Sequence, residues 1–176
     1  MELQHITLEK FTSQSIDLWL NQWFLLTSGD YQKKHYNTMT VAWGSIGGMW
    51  NRPFVQAVVR PTRHTFQFME QYDSFTLCAF PPKYRSDLQY LGTHSGRDFD
   101  KIVNTKLNVI QSRKVAAPSF AEAELIIECQ KMYADDFKPK FFIDTSIENK
   151  YPNKDYHRFY FGEIVAILGD DKYNGK

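Results

Sequence analysis

The sequence predicts a mainly β protein with short helices, a closed antiparallel barrel formed as a single domain over residues 1–176. Six short apolar runs rich in β-branched and aromatic side chains punctuate the chain. They do not alternate regularly with helical segments, as a parallel doubly wound sheet would require. So many apolar strands would leave exposed edges in an open sheet, and closure removes them. No repeat, low-complexity tract or linker marks a domain boundary.

The elements follow in order. Ser13 to Leu20 reads as a short helix and Trp23 to Gly29 as an apolar strand, with a polar loop from Asp30 to Tyr36. Asn37 to Trp43 is a second strand, broken by Gly44, Gly47 and Gly48. Phe54 to Arg60 is a third strand, ended by Pro61, and Thr62 caps a short helix through Phe68 and Met69. Ser74 to Phe80 is a strand stopped by Pro81 and Pro82. Tyr84 to Leu91 is helical with Gly92 as C-cap, and a further helix opens near Asp98. Glu122 to Tyr133 is a strand on the strength of Ile126, Ile127 and Cys129. Asp144 to Lys150 is a loop or helical turn, and Tyr156 to Leu168 is a long terminal strand bulged at Gly162.

Composition narrows the function classes. Lysine and arginine total 21 against 20 acidic residues, so no basic excess draws nucleic acid. Cys78 and Cys129 sit in apolar runs and read as reduced core thiols, and the five scattered histidines offer no metal-ligand spacing. MELQHITLEK lacks an apolar signal core and no run approaches the length of a membrane span, so a soluble cytoplasmic protein is expected. The 14 Phe, 10 Tyr and 4 Trp leave many rings available to a planar ligand.

Three segments combine small polar side chains, arginine and glycine where strands end. Asn37, Thr38, Met39 and Thr40, running to Trp43, expose hydroxyls, an amide and backbone groups suited to the polar edge of a heteroaromatic ring, or else to water. Arg60, Thr62, Arg63 and Thr65 surround a helix start, where guanidinium forks and unpaired N–H groups favour phosphate; a solvated loop has the same composition. Ser95, Gly96 and Arg97, with Lys101 nearby, form a glycine-containing clamp or a simple turn between helices. His157 opens the last strand between Tyr156 and Arg158; it reads as a surface histidine or as a group facing a pocket mouth. Serines Ser74, Ser86, Ser95 and Ser119 stand in no GxSxG context, and Asp135 and Asp136 read as a solvated turn.

NTMTVAWG (37–44), FVQAVVRPTRHT (54–65), FTLCAF (75–80), THSGRDFDK (93–101), AELIIEC (123–129) and YHRFYFGEI (156–164) together resemble the flavin reductase-like family of FMN-binding split barrels, in its flavoredoxin-type branch. The resemblance implies a six-stranded Greek-key split barrel, a homodimer with FMN held at the interface, and NAD(P)H as electron donor. It places Asn37, Thr38, Met39, Thr40 and Trp43 along the flavin ring. Arg60, Thr62, Arg63 and Thr65 fall on the phosphate segment, and Ser95, Gly96, Arg97 and Lys101 on the clamp. His157 matches a histidine associated with the nicotinamide side, the one candidate catalytic residue. In such a protein a reduced nicotinamide stacks on the ring and passes hydride to it, and electrons then leave to free flavin, oxygen or a partner protein. The chain departs from the family at Gly44 to Trp50, where Met49 and Trp50 would cover the flavin face. The alternatives are a non-catalytic FMN-binding electron carrier exchanging electrons with a redox partner, and a split-barrel interaction module without flavin.

Overall fold

The computed structural model describes residues 3–175. Ten strands run in chain order: β1 Gln4–His5, β2 Phe24–Asp30, β3 His35–Val41, β4 Gly44–Met49, β5 Arg52–Val59, β6 Ser74–Ala79, β7 Val109–Ile110, β8 Ser119–Phe120, β9 Leu125–Asp136 and β10 Arg158–Gly169. Three α-helices join them: α1 Ser15–Asp17, continued by a π-helical turn Leu18–Gln22, α2 His64–Gln71 and α3 Arg85–Thr93. The main sheet is antiparallel in the order β3-β2-β6-β9-β10-β5-β4, with β1 added to β10 and a separate β7–β8 pair. The class is the one expected, mainly β around an antiparallel barrel sheet.

Rows of cross-strand neighbours explain why the runs are apolar throughout. Leu26, Leu77 and Ile127 lie in register, as do Leu25, Cys78 and Ile126 one residue along. Successive side chains face opposite sides of a strand. The first row joins the core with Phe24, Val55, Ala57 and Tyr160; the second joins the layer with Leu88, Leu91 and Phe120. Both faces of β2 and β6 are therefore covered. Cys78 and Cys129 fall in different layers and are free and buried, with burial pushing the Cys78 thiol up to about 12.

Closure of the sheet follows from one connection. β3 and β4 are its two edges, yet only Ala42 and Trp43 separate them in sequence. Three Cα–Cα steps from Val41 to Gly44 span about 11 Å at most, so the two edges are held close at that corner. From there β3 diverges from the end of β5, leaving a split between Met39–Trp43 and Val58–Arg60.

Several local expectations are corrected. Gly44 to Met49 does not break the chain but forms β4, hairpinned to β5 through Trp50 and Asn51 at φ 53° and 58°. Thr62 is not a helix cap: Arg63 holds the N-cap position with extended φ and ψ and no side-chain bond. Gly92 lies inside α3, where a Cβ would come within 3.1 Å of Thr40; the glycine lets the helix pack on β3. No helix opens at Asp98. Ser95 Oγ accepts from Arg97 N and Asp100 Oδ1 from Ile102 N, local bonds that compete with helix formation. Asp135 and Asp136 end β9 rather than sitting in a free turn, and Asp136 takes both Nε and Nη2 of Arg158. The bulge at Gly162 is present, as a register shift between Phe161 and Gly162.

Candidate functional site

The split in the barrel carries a groove made of two adjoining cavities of about 200 and 100 Å³. Met39 and Arg63 line both, so the cavities are two ends of one site. Together they stand at the low end of the range usual for ligand sites.

The polar end lies between the start of α2 and the loop after α3. Asn37, at its floor, donates from Nδ2 to Thr65 Oγ1 at 2.8 Å. A Cβ on Gly96 would collide with the Asn37 amide, so only glycine permits this approach. Arg63 is exposed, with Nη1 3.5 Å from Gly92 O, too long to commit it. Lys101 is 4% exposed and donates from Nζ to Leu91 O at 2.5 Å and His94 O at 2.9 Å. It thus caps the carbonyl end of α3, and among the described residues no carboxylate pairs with it. Burial, with Arg63 second, lowers its pKa to about 8. His64, the first residue of α2, has a buried Nδ1 without a hydrogen-bond partner, and burial, Arg97 and Lys101 lower its pKa. Thr62 and Ser95 also line this end.

The flatter end is walled by Trp43, Val58 and His157. The His157 ring lies 5.1 Å from that of Trp43, and its Nδ1 is 2.9 Å from Tyr151 Oη. Burial, Arg60 and Arg63 lower its pKa to about 4, so the imidazole is neutral at pH 7. Arg60 also lines this end, but its guanidinium is taken by Asp155 at 2.7 Å and Lys150 O at 2.8 Å and lies over the Tyr151 ring.

The structure thus brings together Asn37, Met39, Thr40, Trp43, Arg60, Thr62, Arg63, Thr65, Ser95, Gly96, Lys101 and His157 along one groove. Thr38 does not line the groove: it is fully buried and its hydroxyl donates to Leu26 O. Arg97 is exposed and outside the lining, close enough only to act on His64. His157 is buried at 9% exposure, not a surface histidine. Met49 and Trp50 do not line the groove; Trp50 packs edge-on against Tyr133 and Phe161. Two residues escape sequence reasoning. His64 stands unremarked between Arg63 and Thr65, and Tyr151 lies in a loop whose approach to His157 no periodicity reveals. Chemically, one end offers cationic and hydroxyl groups able to hold an anion, and the other a wall of Trp43, Val58 and neutral His157 beside the paired Arg60.

A family model described as the flavin reductase like domain matches residues 21–175. Flavoredoxin of Desulfovibrio vulgaris (Miyazaki F) superposes with a TM-score of 0.66 at 19% identity, over 92% of this chain and 75% of that one. An FMN-binding domain of a flavin reductases-like enzyme from Shewanella baltica OS155 gives 0.68 at 15% identity, over 97% and 79%. An NADH:FAD oxidoreductase of Streptomyces globisporus C-1027 gives 0.62 at 15%, over 83% and 74%.

Proposed function

The chain belongs to the flavin reductase like family, and on that premise we propose that its groove binds FMN and that the protein carries electrons from NAD(P)H through it. The observation that carries this reading is the pairing of chemistries within one groove. A buried ammonium without a carboxylate, an uncommitted guanidinium and the first turn of α2 gather at one end. Such a set is incomplete without an anion, and His64 Nδ1 is orphaned beside it. At the other end Trp43, Met39, Val58 and neutral His157 suit a flat heteroaromatic ring. A phosphorylated ring satisfies both ends.

FMN, when bound, supplies the ring that accepts hydride and passes electrons on. The chain's own residues have simpler tasks. Arg63, Lys101, Thr62, Thr65 and Ser95 would hold the phosphate. Asn37, Met39, Thr40 and Trp43 would orient the ring and keep water from one face. Family relatives act on different flavins, one of them being an NADH:FAD oxidoreductase; the compact polar end here favours the mononucleotide. A second copy of the chain would supply the remaining wall of so shallow a groove.

Titration of the flavin-free protein with FMN and riboflavin tests the reading. FMN should bind at least tenfold more tightly, the worth of a charge-assisted phosphate contact, and equal affinities would reject the anion end. Steady-state oxidation of NADH or NADPH with bound FMN is expected. Tight FMN binding with no turnover of either donor would make the protein an electron carrier.

A further inference from the structure

We infer that Tyr151 is a positioning residue: it fixes His157 in the tautomer that presents Nε2–H to the groove, making that wall a hydrogen-bond donor to a carbonyl oxygen of the bound ligand.

The inference rests on proton placement. Tyr151 Oη and His157 Nδ1 are 2.9 Å apart, and both residues are buried, at 5% and 9% exposure. One proton occupies the contact. If Nδ1 held it, the Tyr151 hydroxyl would need another acceptor for its own proton, and among the described residues it has none. A buried donor left unpaired is costly. The Tyr151 hydroxyl is therefore the donor of the contact. Nδ1 is then the acceptor of the neutral ring, and Nε2 carries the hydrogen.

The surroundings hold both rings in place. The Tyr151 ring stacks on Phe142 with centroids 6.1 Å apart and an interplanar angle of 14°. The Arg60 guanidinium covers Tyr151 at 4.9 Å and is itself fixed by Asp155. His157 lies edge-on to Tyr151 and is flanked across the groove by Trp43. Arg60 and Arg63 oppose a charge on His157, and Asp155 is the acidic group that favours one. Arg60, whose position in the sequence suggests a phosphate ligand, thus braces the segment that orients the histidine. A neutral Nε2–H can donate and cannot accept, so the wall selects ligands that present a carbonyl oxygen over those that present N–H.

This deepens the FMN reading and rests on it only for the identity of the acceptor, a flavin ring carbonyl or a nicotinamide carboxamide. The test is two-bond ¹⁵N–¹H correlation of the histidine rings in flavin-free protein, with His157→Gln used for assignment. Wild type should show one tautomer of His157, protonated at Nε2, across neutral pH. Tyr151→Phe should mix the tautomers, raise the histidine pKa toward its ordinary value, and weaken FMN or the nicotinamide about five- to tenfold, the loss of one oriented hydrogen bond. A shift of the Nε2–H signal on adding FMN identifies the flavin as acceptor; a shift only on adding NADH to the FMN-loaded protein identifies the nicotinamide. An Nδ1–H tautomer or a mixture in wild type overturns the inference, as does a Tyr151→Phe variant with unchanged tautomer and pKa. Should that variant fail to fold, the wild-type tautomer decides. Should FMN not bind while Nε2–H is observed, the positioning role stands and the flavin reading falls.

Discussion

Arg63 and Lys101 serve the positive end of the groove in different ways. Arg63 is exposed and spends almost nothing on the protein, its nearest acceptor being Gly92 O at 3.5 Å. Its removal should leave folding intact and weaken FMN by about 2–3 kcal/mol, the loss of a charge-assisted bond. An unchanged dissociation constant in Arg63→Ala would remove it from the site. Lys101 is buried, and its pKa of about 8 reflects the cost of keeping an ammonium there. A phosphate beside it offsets that cost and raises the pKa of the complex, so binding takes up a proton once free Lys101 has begun to lose its own. Affinity for FMN should therefore hold between the second pKa of its phosphate, about 6, and about pH 8, and fall above that as Lys101 loses its charge. Lys101→Met should bind weakly and lose that fall. In the flavin-free protein the sign reverses. The depressed pKa costs stability below pH 8, and the cost fades as pH rises toward the value of an unfolded lysine.

At the scale of elements, glycine placement decides what can be read from the chain. Gly162 of β10 lies where a Cβ would stand 2.6 Å from the Phe75 ring and 2.8 Å from Cys129 Cβ. These neighbours are fully buried and cannot retreat. Gly162→Ala should cost about 1–3 kcal/mol by overpacking, read as a lower urea midpoint; an unaltered midpoint would mean the bulge absorbs the methyl. This glycine was legible because it interrupts an apolar run, and interruption is what a bulge looks like in sequence. Gly44, Gly47 and Gly48 interrupt in the same way yet belong to β4. Pairing with β5 holds that strand, and Gly44 is needed because Trp19 and Gln56 O crowd it. Six strands could be read because apolar rows on both faces of the sheet demand them. The loop from His94 to Lys101 could not be read as a loop. Its shape depends on Gly96 meeting Asn37, 59 residues away in sequence, and on Lys101 folding back onto the end of α3, contacts that no periodicity reveals. The same limit explains why Arg63, Thr65 and Gly96 stand out as motif residues in the sequence while Tyr151, set in place by Arg60 and Phe142, does not.

The whole molecule is less compact than its mass requires. A monomer of 20.7 kDa is expected to expose roughly 8,900 Å², whereas the described residues expose 9796 Å². Part of the excess is the strap of residues 137–157 between β9 and β10, which stands beside the groove and carries Tyr151 and Asp155. On it Phe141 is 69% exposed, Ile143 100% and Ile147 39%, and Trp43 at the groove mouth is 43% exposed. Large apolar side chains exposed on one segment are unfavourable in water, which is the character of a surface suited to a partner. In the reading proposed here that partner is a second copy, which would close the shallow side of the groove. Sedimentation equilibrium should then give twice the 20.7 kDa chain mass. Phe141→Asp combined with Ile143→Asp should return the protein to a single chain, because two carboxylates cannot be buried unpaired in an apolar seam. The same double variant should weaken FMN although neither residue lines the groove. If wild type is a monomer at micromolar concentrations, or if the double variant keeps its mass and its FMN affinity, the strap is not the seam. The groove would then have to hold its ligand with one chain's walls alone.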